Sequence, residues 1–352
     1  MSLNTQTEKP IPPPLSPAKE FLADPDYQQF RSKLYETLAP YKLTSEQAPN
    51  VFDYARLNFA NTADITIFQL DQLGLEKLKA ISANYFYAAE FCNSTAIGVS
   101  LMGYDAVLVK KQPEPTIPDD HSRVSEEATV IHELAHASAK NTVLEKTVTP
   151  EGKIMFLPTV SGLERPPKAG SVTNPDEWEG MFLEEGFAQH HFGNYIDTYY
   201  RQQQLDTILQ TLDASFSFID SNQKVIFPVQ QVVEGEKRIV RKIPLEPDLI
   251  YCSSHTFAIS PPSYAAQVYR DLCQSIPNFH QQVDQSRSQT GLFDAFYQNL
   301  NQALPNFADR FLHGRYFDPW GTNNSFKNIA FDYFNQPGRE TNFSTSRKLQ
   351  IN

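Results

Sequence analysis

Cysteine is scarce. Cys92, Cys252 and Cys273 are the whole complement of 352 residues, too few and too scattered for a disulfide framework or a cysteine-based metal knuckle. They read as small buried apolar side chains. Long apolar runs are missing too: no window approaches the roughly eighteen uninterrupted apolar residues of a membrane span. The first twenty residues also lack the charged start and apolar stretch of a secretory signal. The expectation is a chain with no membrane partner, cytoplasmic by default, with unconventional export left open. Positive charge is in deficit, with 30 Lys and Arg against 41 Asp and Glu for a net charge of -11. That balance disfavours phosphate-tracking nucleic-acid binding and anionic membrane surfaces alike. No repeat of fixed period is present.

What is there is enough to fold. Hydrophobic residues make up 40% of the chain and charged residues only 20%, too apolar and too weakly charged for a wholly disordered protein. Residues 1–20 carry a proline-rich run, Pro10 to Pro17, which reads as a solvated leader or as a ligand for a partner's aromatic groove. Residues 21–41 pattern as a short helix, Asp64 to Leu70 as a strand and Gly74 to Phe91 as a helix. Ala96 to Met102 and Asp105 to Lys110 read as strands joined at Gly103-Tyr104.

After a proline-broken loop comes a nearly uncharged helix, Ser125 to Ala139. A hairpin follows, with arms at Thr142 to Thr149 and Lys153 to Ser161. A second long helix spans 175–205 and a hairpin-like region 224–243, with further helices near 262–276 and 291–304. The grammar is α+β, with a mainly helical part over 206–320 and a tail over 321–352 left unassigned.

The chemistry concentrates in Val130-Ile131-His132-Glu133-Leu134-Ala135-His136. On a helix, residues four apart differ by about 40° in azimuth, so both imidazoles of H-E-x-x-H reach one tetrahedral ion. Glu133 follows the first ligand by about 100° of rotation, which sets its carboxylate beside the metal as a base towards water. The helix is apolar nearly all round, and a lone buried carboxylate is costly without a partner. A metal site explains Glu133, whereas a purely structural helix does not.

Two histidines leave a ligand missing. On the later helix, Glu185 shares a face with Trp178, Met181, Phe182, Gln189, Phe192, Ile196 and Tyr199, and Glu184 falls towards that face's edge. A carboxylate centred in an apolar stripe calls for a cation, either the metal or some Arg or Lys. Gln189, one turn on, reads as support for a ligand or as a plain surface amide. His190 and His191 read as helix-surface residues and are not counted as ligands.

His132-Glu133-x-x-His136 followed by Leu183-Glu184-Glu185-Gly186-Phe187-Ala188 resembles the gluzincin metallopeptidases, especially the aminopeptidase-type members, whose second helix reads N-E-G-F-A. The resemblance covers roughly thirty residues. It implies a zincin-like catalytic core, expected over 21–205, with a small mixed sheet, an active-site helix at 125–140 and a ligand helix at 175–205. It implies Zn2+ held by His132, His136 and Glu185, with Glu133 as general base, and an edge strand that pairs with substrate, here expected at Asp105 to Lys110. It also implies an oxyanion donor from a later helix, for which Tyr264 is the candidate, with Tyr251 and His255 just upstream.

Two features depart from the family. Forty-eight residues, Ala137 to Glu184, separate the second histidine from Glu185, an excess that the hairpin accounts for. The G-x-M-E-N stretch that holds a free substrate amine is missing. The metzincin pattern fits worse, since Ala139 and Thr142 stand where it needs Gly and His. The aromatic carboxy end, Phe307, Phe311, Tyr316, Phe317 and Trp320, reads as packing or as a subsite wall. The expected function is a zinc-dependent metallopeptidase acting on a peptide or protein substrate. The rival is a degenerate zincin that binds zinc without cleaving anything.

Overall fold

The computed structural model describes residues 17–59, 62–82, 86–111, 120–148, 154–166, 178–201, 203, 218–219, 225–233, 236–245, 249, 251–253, 256–258, 260–316 and 324–336. After a short 3-10 turn at Pro17–Ala23 comes helix α1 (Pro25–Leu38), started by Asp24, whose carboxylate accepts from the Asp26 amide at 2.8 Å. Proline at its first position costs nothing there, because that amide has no helical partner. Helix α2 (Pro49–Asn58) also begins with proline, without a side-chain cap, and leads to strand β1 (Thr66–Leu70). The expected helix over Gly74 to Phe91 is broken into α3 (Gln72–Ile81) and α4 (Phe86–Asn93), and strands β2 (Gly98–Leu101) and β3 (Ala106–Lys110) follow.

Helix α5 (Asp120–Ala137) starts five residues before its expected position. The hairpin of β4 (Val143–Val148) and β5 (Ile154–Val160) stands as anticipated, and α6 (Met181–Tyr199) is shorter than the expected 175–205. Strands β6 (Phe218–Ile219), β7 (Val225–Val233), β8 (Glu236–Leu245), β9 (Tyr251–Ser253) and β10 (Thr256–Ala258) lead to five helices: α7 (Pro261–Ser275), α8 (Phe279–Ser288), α9 (Phe293–Ala303), α10 (Ala308–Leu312) and α11 (Phe326–Phe334). The last of these lies in the tail left unassigned. The proline-rich run before Pro17, together with His255, Phe317 and Trp320, lies outside the described residues. The fold is mixed α+β with small sheets, and no described helix is long and apolar enough to cross a membrane.

One sheet matters for the site. Its order is β1-β3-β2, with β1 parallel and β2 antiparallel to β3. The expectation of β3 as the edge is therefore corrected: β3 is central and β2 is an edge. The reason is visible in side-chain direction. Val107 and Val109 face one apolar cluster with Ile131, Leu134 and Phe182, while Ala106 and Leu108 face a second with Tyr27, Phe30 and Leu34. A strand buried on both faces reads as a continuous apolar run, as Ala-Val-Leu-Val does here. The first cluster draws on α2, α5, α6 and α7 to α11, so helices from both sides of residue 205 share it.

Candidate metal centre

Helices α5 and α6 pack together and meet at three polar side chains. His132 and His136, one turn apart on α5, bring their Nε2 atoms within 3.2 Å of each other. Glu185 of α6 sets Oε2 3.2 Å from His132 Nε2 and Oε1 3.6 Å from His136 Nε2. Zinc bound at about 2.0–2.1 Å in tetrahedral geometry holds its donor atoms about 3.3 Å apart. Glu185 meets the two imidazoles through different oxygens at separations close to that value, and one donor atom from each of the three residues forms a triangle with sides within 4.8 Å. Glu185 Oε2 is buried with no hydrogen bond, as a carboxylate oxygen reserved for a cation would be. The residues fit a metal ion, and two imidazoles with one carboxylate are a donor set of the open, catalytic type.

The electrostatics agree. Burial by itself would raise the Glu185 carboxyl, but His136 and His132 hold it well below the usual carboxylate range. Burial by itself would lower His136, but the Glu185 charge and a hydrogen bond to Glu184 hold it well above its ordinary value. A point that favours a proton this strongly favours any cation.

Glu133 lies beside the triangle as expected. Burial pushes its carboxyl above the usual range, partly offset by His132 and His136. The Ser100 amide of β2 donates to it. Gly98 makes this approach possible: a Cβ there would stand 2.7 Å from Glu133 Cγ and 2.9 Å from Thr129 Cγ2. The edge strand can therefore lie directly on α5.

Glu184 takes a role the sequence did not reveal. It is the more deeply buried of the two glutamates, 2% exposed against 8% for Glu185, and so does not sit at the edge of a buried face. The first two turns of α6 are buried all round, including Gly186, whose Cβ would meet the Ala265 carbonyl of α7 at 2.9 Å. Glu184 Oε1 lies 3.2 Å from His136 Nδ1, and its Oε2 accepts from the Leu163 amide at 2.8 Å.

Arg287 of α8 completes the arrangement, donating to Glu184 and to the Ala135 carbonyl, with its guanidinium 4.0 Å above the Phe187 ring. The carboxylate fixes the His136 ring, as such partners do for histidine ligands, and the arginine compensates the carboxylate. The long connection between His136 and Glu185 now has a use, since the loop after β5 delivers the Leu163 amide. Asn141 braces that loop through the Gly162 carbonyl and amide, both at 2.7 Å.

The acid Glu164, also in this loop, offers a second grouping with His136 and Glu184, all donor atoms lying within 4.8 Å. Glu184 is already engaged by Arg287 there, so the triangle with Glu185 is the better metal site. Burial and the Glu184 charge push Glu164 up to about 8.

Tyr264 is not among the residues that line the cavity over the triangle. It lies on α7, buried, with its ring 6.1 Å from that of Phe331. Tyr316 does line that cavity, with His132, Glu133, Glu185 and Gln189. Burial and the Glu185 charge push its hydroxyl well above the ordinary tyrosine value, so it remains protonated and able to donate. Its neighbour Arg315 anchors the segment, donating to the Trp178 carbonyl at 3.0 Å. Gln189 is buried against the cavity, not a surface amide.

The reading of His190 and His191 as surface residues is also corrected. His191 is buried with Nδ1 3.1 Å from the Tyr54 hydroxyl, and His190 accepts from Arg270 at 3.1 Å. Phe307 and Phe311 pack in the core.

No family model, curated protein or solved structure matches the chain. The chemistry has to be read from the site itself.

Proposed function

We propose that this chain is a zinc-dependent metallopeptidase with a zincin-like core, hydrolysing peptide bonds. The observation that carries the reading is the His132, His136, Glu185 triangle with a further buried carboxylate, Glu133, beside it. Two histidines and a glutamate hold the ion. Zinc bound there supplies Lewis acidity, polarising a carbonyl and making a water more acidic.

The chain's own groups do the rest. Glu133, raised by burial and oriented by the Ser100 amide, takes a proton from the attacking water and passes it to the leaving amine. Tyr316, in place of Tyr264, donates a hydrogen bond to the carbonyl oxygen as negative charge develops on it. Glu184 and Arg287 keep the His136 ring in position. The β2 edge offers backbone groups to an extended substrate.

A zinc binder without catalysis would have no use for Glu133 at this point, a buried carboxyl facing a cavity. The net charge of -11 mildly favours neutral or basic peptides, and neither nucleic acid nor membrane is a partner in this reading.

Glu133→Gln tests it. The variant is expected to retain one equivalent of zinc and to lose about 10²- to 10⁴-fold in peptide turnover. Unchanged turnover would remove Glu133 from the mechanism.

A further inference from the structure

The cavity over His132, Glu133 and Glu185 has a volume of about 660 Å³, in the range of a ligand site. Its walls are mainly apolar, with Phe91, Ile97, Met181 and Phe192 among them. Exposed Thr95 and Ala96 mark its mouth, while Glu164 and Gln189, each 5% exposed, lie in its floor. Among the described residues, neither of these two side chains has a hydrogen bond or an ion pair. Buried polar groups are costly without partners, and a ligand entering the cavity would supply them.

Charge narrows the choice of ligand. Glu164, Glu184 and Glu185 are buried together, with a donor atom of Glu164 within 4.8 Å of donor atoms of His136 and Glu184. Glu133 lines the same cavity as Glu164 and Glu185. In the reading above, Glu185 holds the metal and Glu133 takes the proton of the water, while Glu184 is paired with Arg287. A divalent ion and one guanidinium balance all but one of these acids, and Glu164 is the one left over. Among the described residues no Lys or Arg lines the cavity. A lone buried carboxyl gives up its charge by holding a proton. A cation placed beside it favours the charged form, and the proton goes to water.

Lysine and arginine side chains combine the two properties this cavity suits, an apolar stem and a cationic head. A free amino terminus has the head without the stem. Resting on the peptidase reading above, we infer that Glu164 is a specificity-determining residue that receives the cationic head of a lysine or arginine side chain of the substrate. The stem lies along the apolar wall. Gln189, in the same floor, offers a carboxamide oxygen as a neutral acceptor.

The test uses peptides in matched pairs, arginine against citrulline and lysine against norleucine, each with the amino end free or acetylated. Turnover and zinc content are measured for wild type and Glu164→Gln. Binding of n-butylguanidinium and of its neutral counterpart n-butylurea to the zinc-loaded proteins is followed by calorimetry. The guanidinium keeps its charge and has no lone pair to offer zinc.

At one position next to the cut bond, kcat/KM in wild type should be about 10²-fold higher for arginine than for citrulline, whether or not the amino end is acetylated. In Glu164→Gln the ratio should fall below about threefold with zinc retained. Wild type should bind n-butylguanidinium at least about tenfold more tightly than n-butylurea, a difference that Glu164→Gln removes. If Glu164→Gln fails to fold, the charged and neutral probes compared on wild type still decide. Equal turnover of charged and neutral peptides, or a preference that survives Glu164→Gln, overturns the inference and leaves the peptidase reading standing. So does a requirement for a free amino end with arginine and citrulline treated alike, since the cation would then be the terminus. No cleavage of any peptide by zinc-loaded wild type overturns both.

Discussion

Two histidine clusters lie along helix α6, each with one fully buried member, His136 and His191, and they differ in the sign of the charge around them. At the first, Glu185 and Glu184 face His132 and His136. At the second, about one turn further along, His190 and His191 lie near Arg270, with His280 across from them. His136 is held well above its ordinary value, whereas burial and nearby positive charge lower His190 strongly and His191 to about 3. Counting histidines would rank the clusters alike. The carboxylates make the first a place that favours a cation, and burial with the positive charge of Arg270 makes the second a place where even a proton is unwelcome.

The largest effect that sharpens this contrast concerns Tyr316, which stays protonated because it is buried beside Glu185. Tyr316→Phe is expected to lower kcat about 10²- to 10³-fold with zinc content unchanged, whereas Tyr264→Phe should leave kcat nearly untouched. Steady-state kinetics with zinc analysis on both variants decides between the tyrosines.

Next comes Glu184→Ala. It removes the carboxylate that orients His136 and leaves Arg287 buried without its partner. Zinc affinity should fall about 10- to 100-fold, and stability by about 3–5 kcal/mol in denaturant titration. A loss of affinity with unchanged stability would mean that Arg287 does not depend on Glu184.

The smallest effect belongs to the second cluster. Because His191 is held at about 3 in the folded state and near 6.5 when unfolded, the unfolded chain binds more protons between those values. Its contribution to stability is complete above about pH 6.5 and is lost as the pH falls towards 3, by up to about 1.4 kcal/mol per pH unit. His191→Asn should flatten that part of the stability curve relative to wild type, and an unchanged slope would mean that His191 takes up a proton without cost.

Much of the first cluster was legible in the sequence. The spacing of His132, Glu133 and His136 follows from helix geometry, and Glu185 stood out as a carboxylate on an apolar face. Its neighbour Glu184 did not, because a wheel built on one face treats α6 as amphipathic, whereas its first two turns are buried all round. A doublet of buried glutamates implies a second cation, and that was the one available signal for Arg287, a hundred residues away on a helix of mostly polar residues. Tyr316 read only as packing or as a subsite wall; its place beside Glu185 had no local signal, because it lies in a segment positioned by Arg315 and the Trp178 carbonyl. The edge strand was misassigned for a related reason. An apolar run such as Ala106 to Val109 marks burial on both faces, hence a central strand, while Gly98 and Ser100 suit an edge lying against a helix.

The central claim, that surrounding charge selects the first cluster for a cation, is tested most directly by zinc titration followed by metal analysis. The set is wild type, Glu185→Ala, and the double variant His190→Asn with His191→Asn. The account predicts one tightly bound equivalent in wild type and in the double variant, and loss of that equivalent in Glu185→Ala. Zinc retained by Glu185→Ala but lost by the double variant, or no tight binding by wild type, would contradict it.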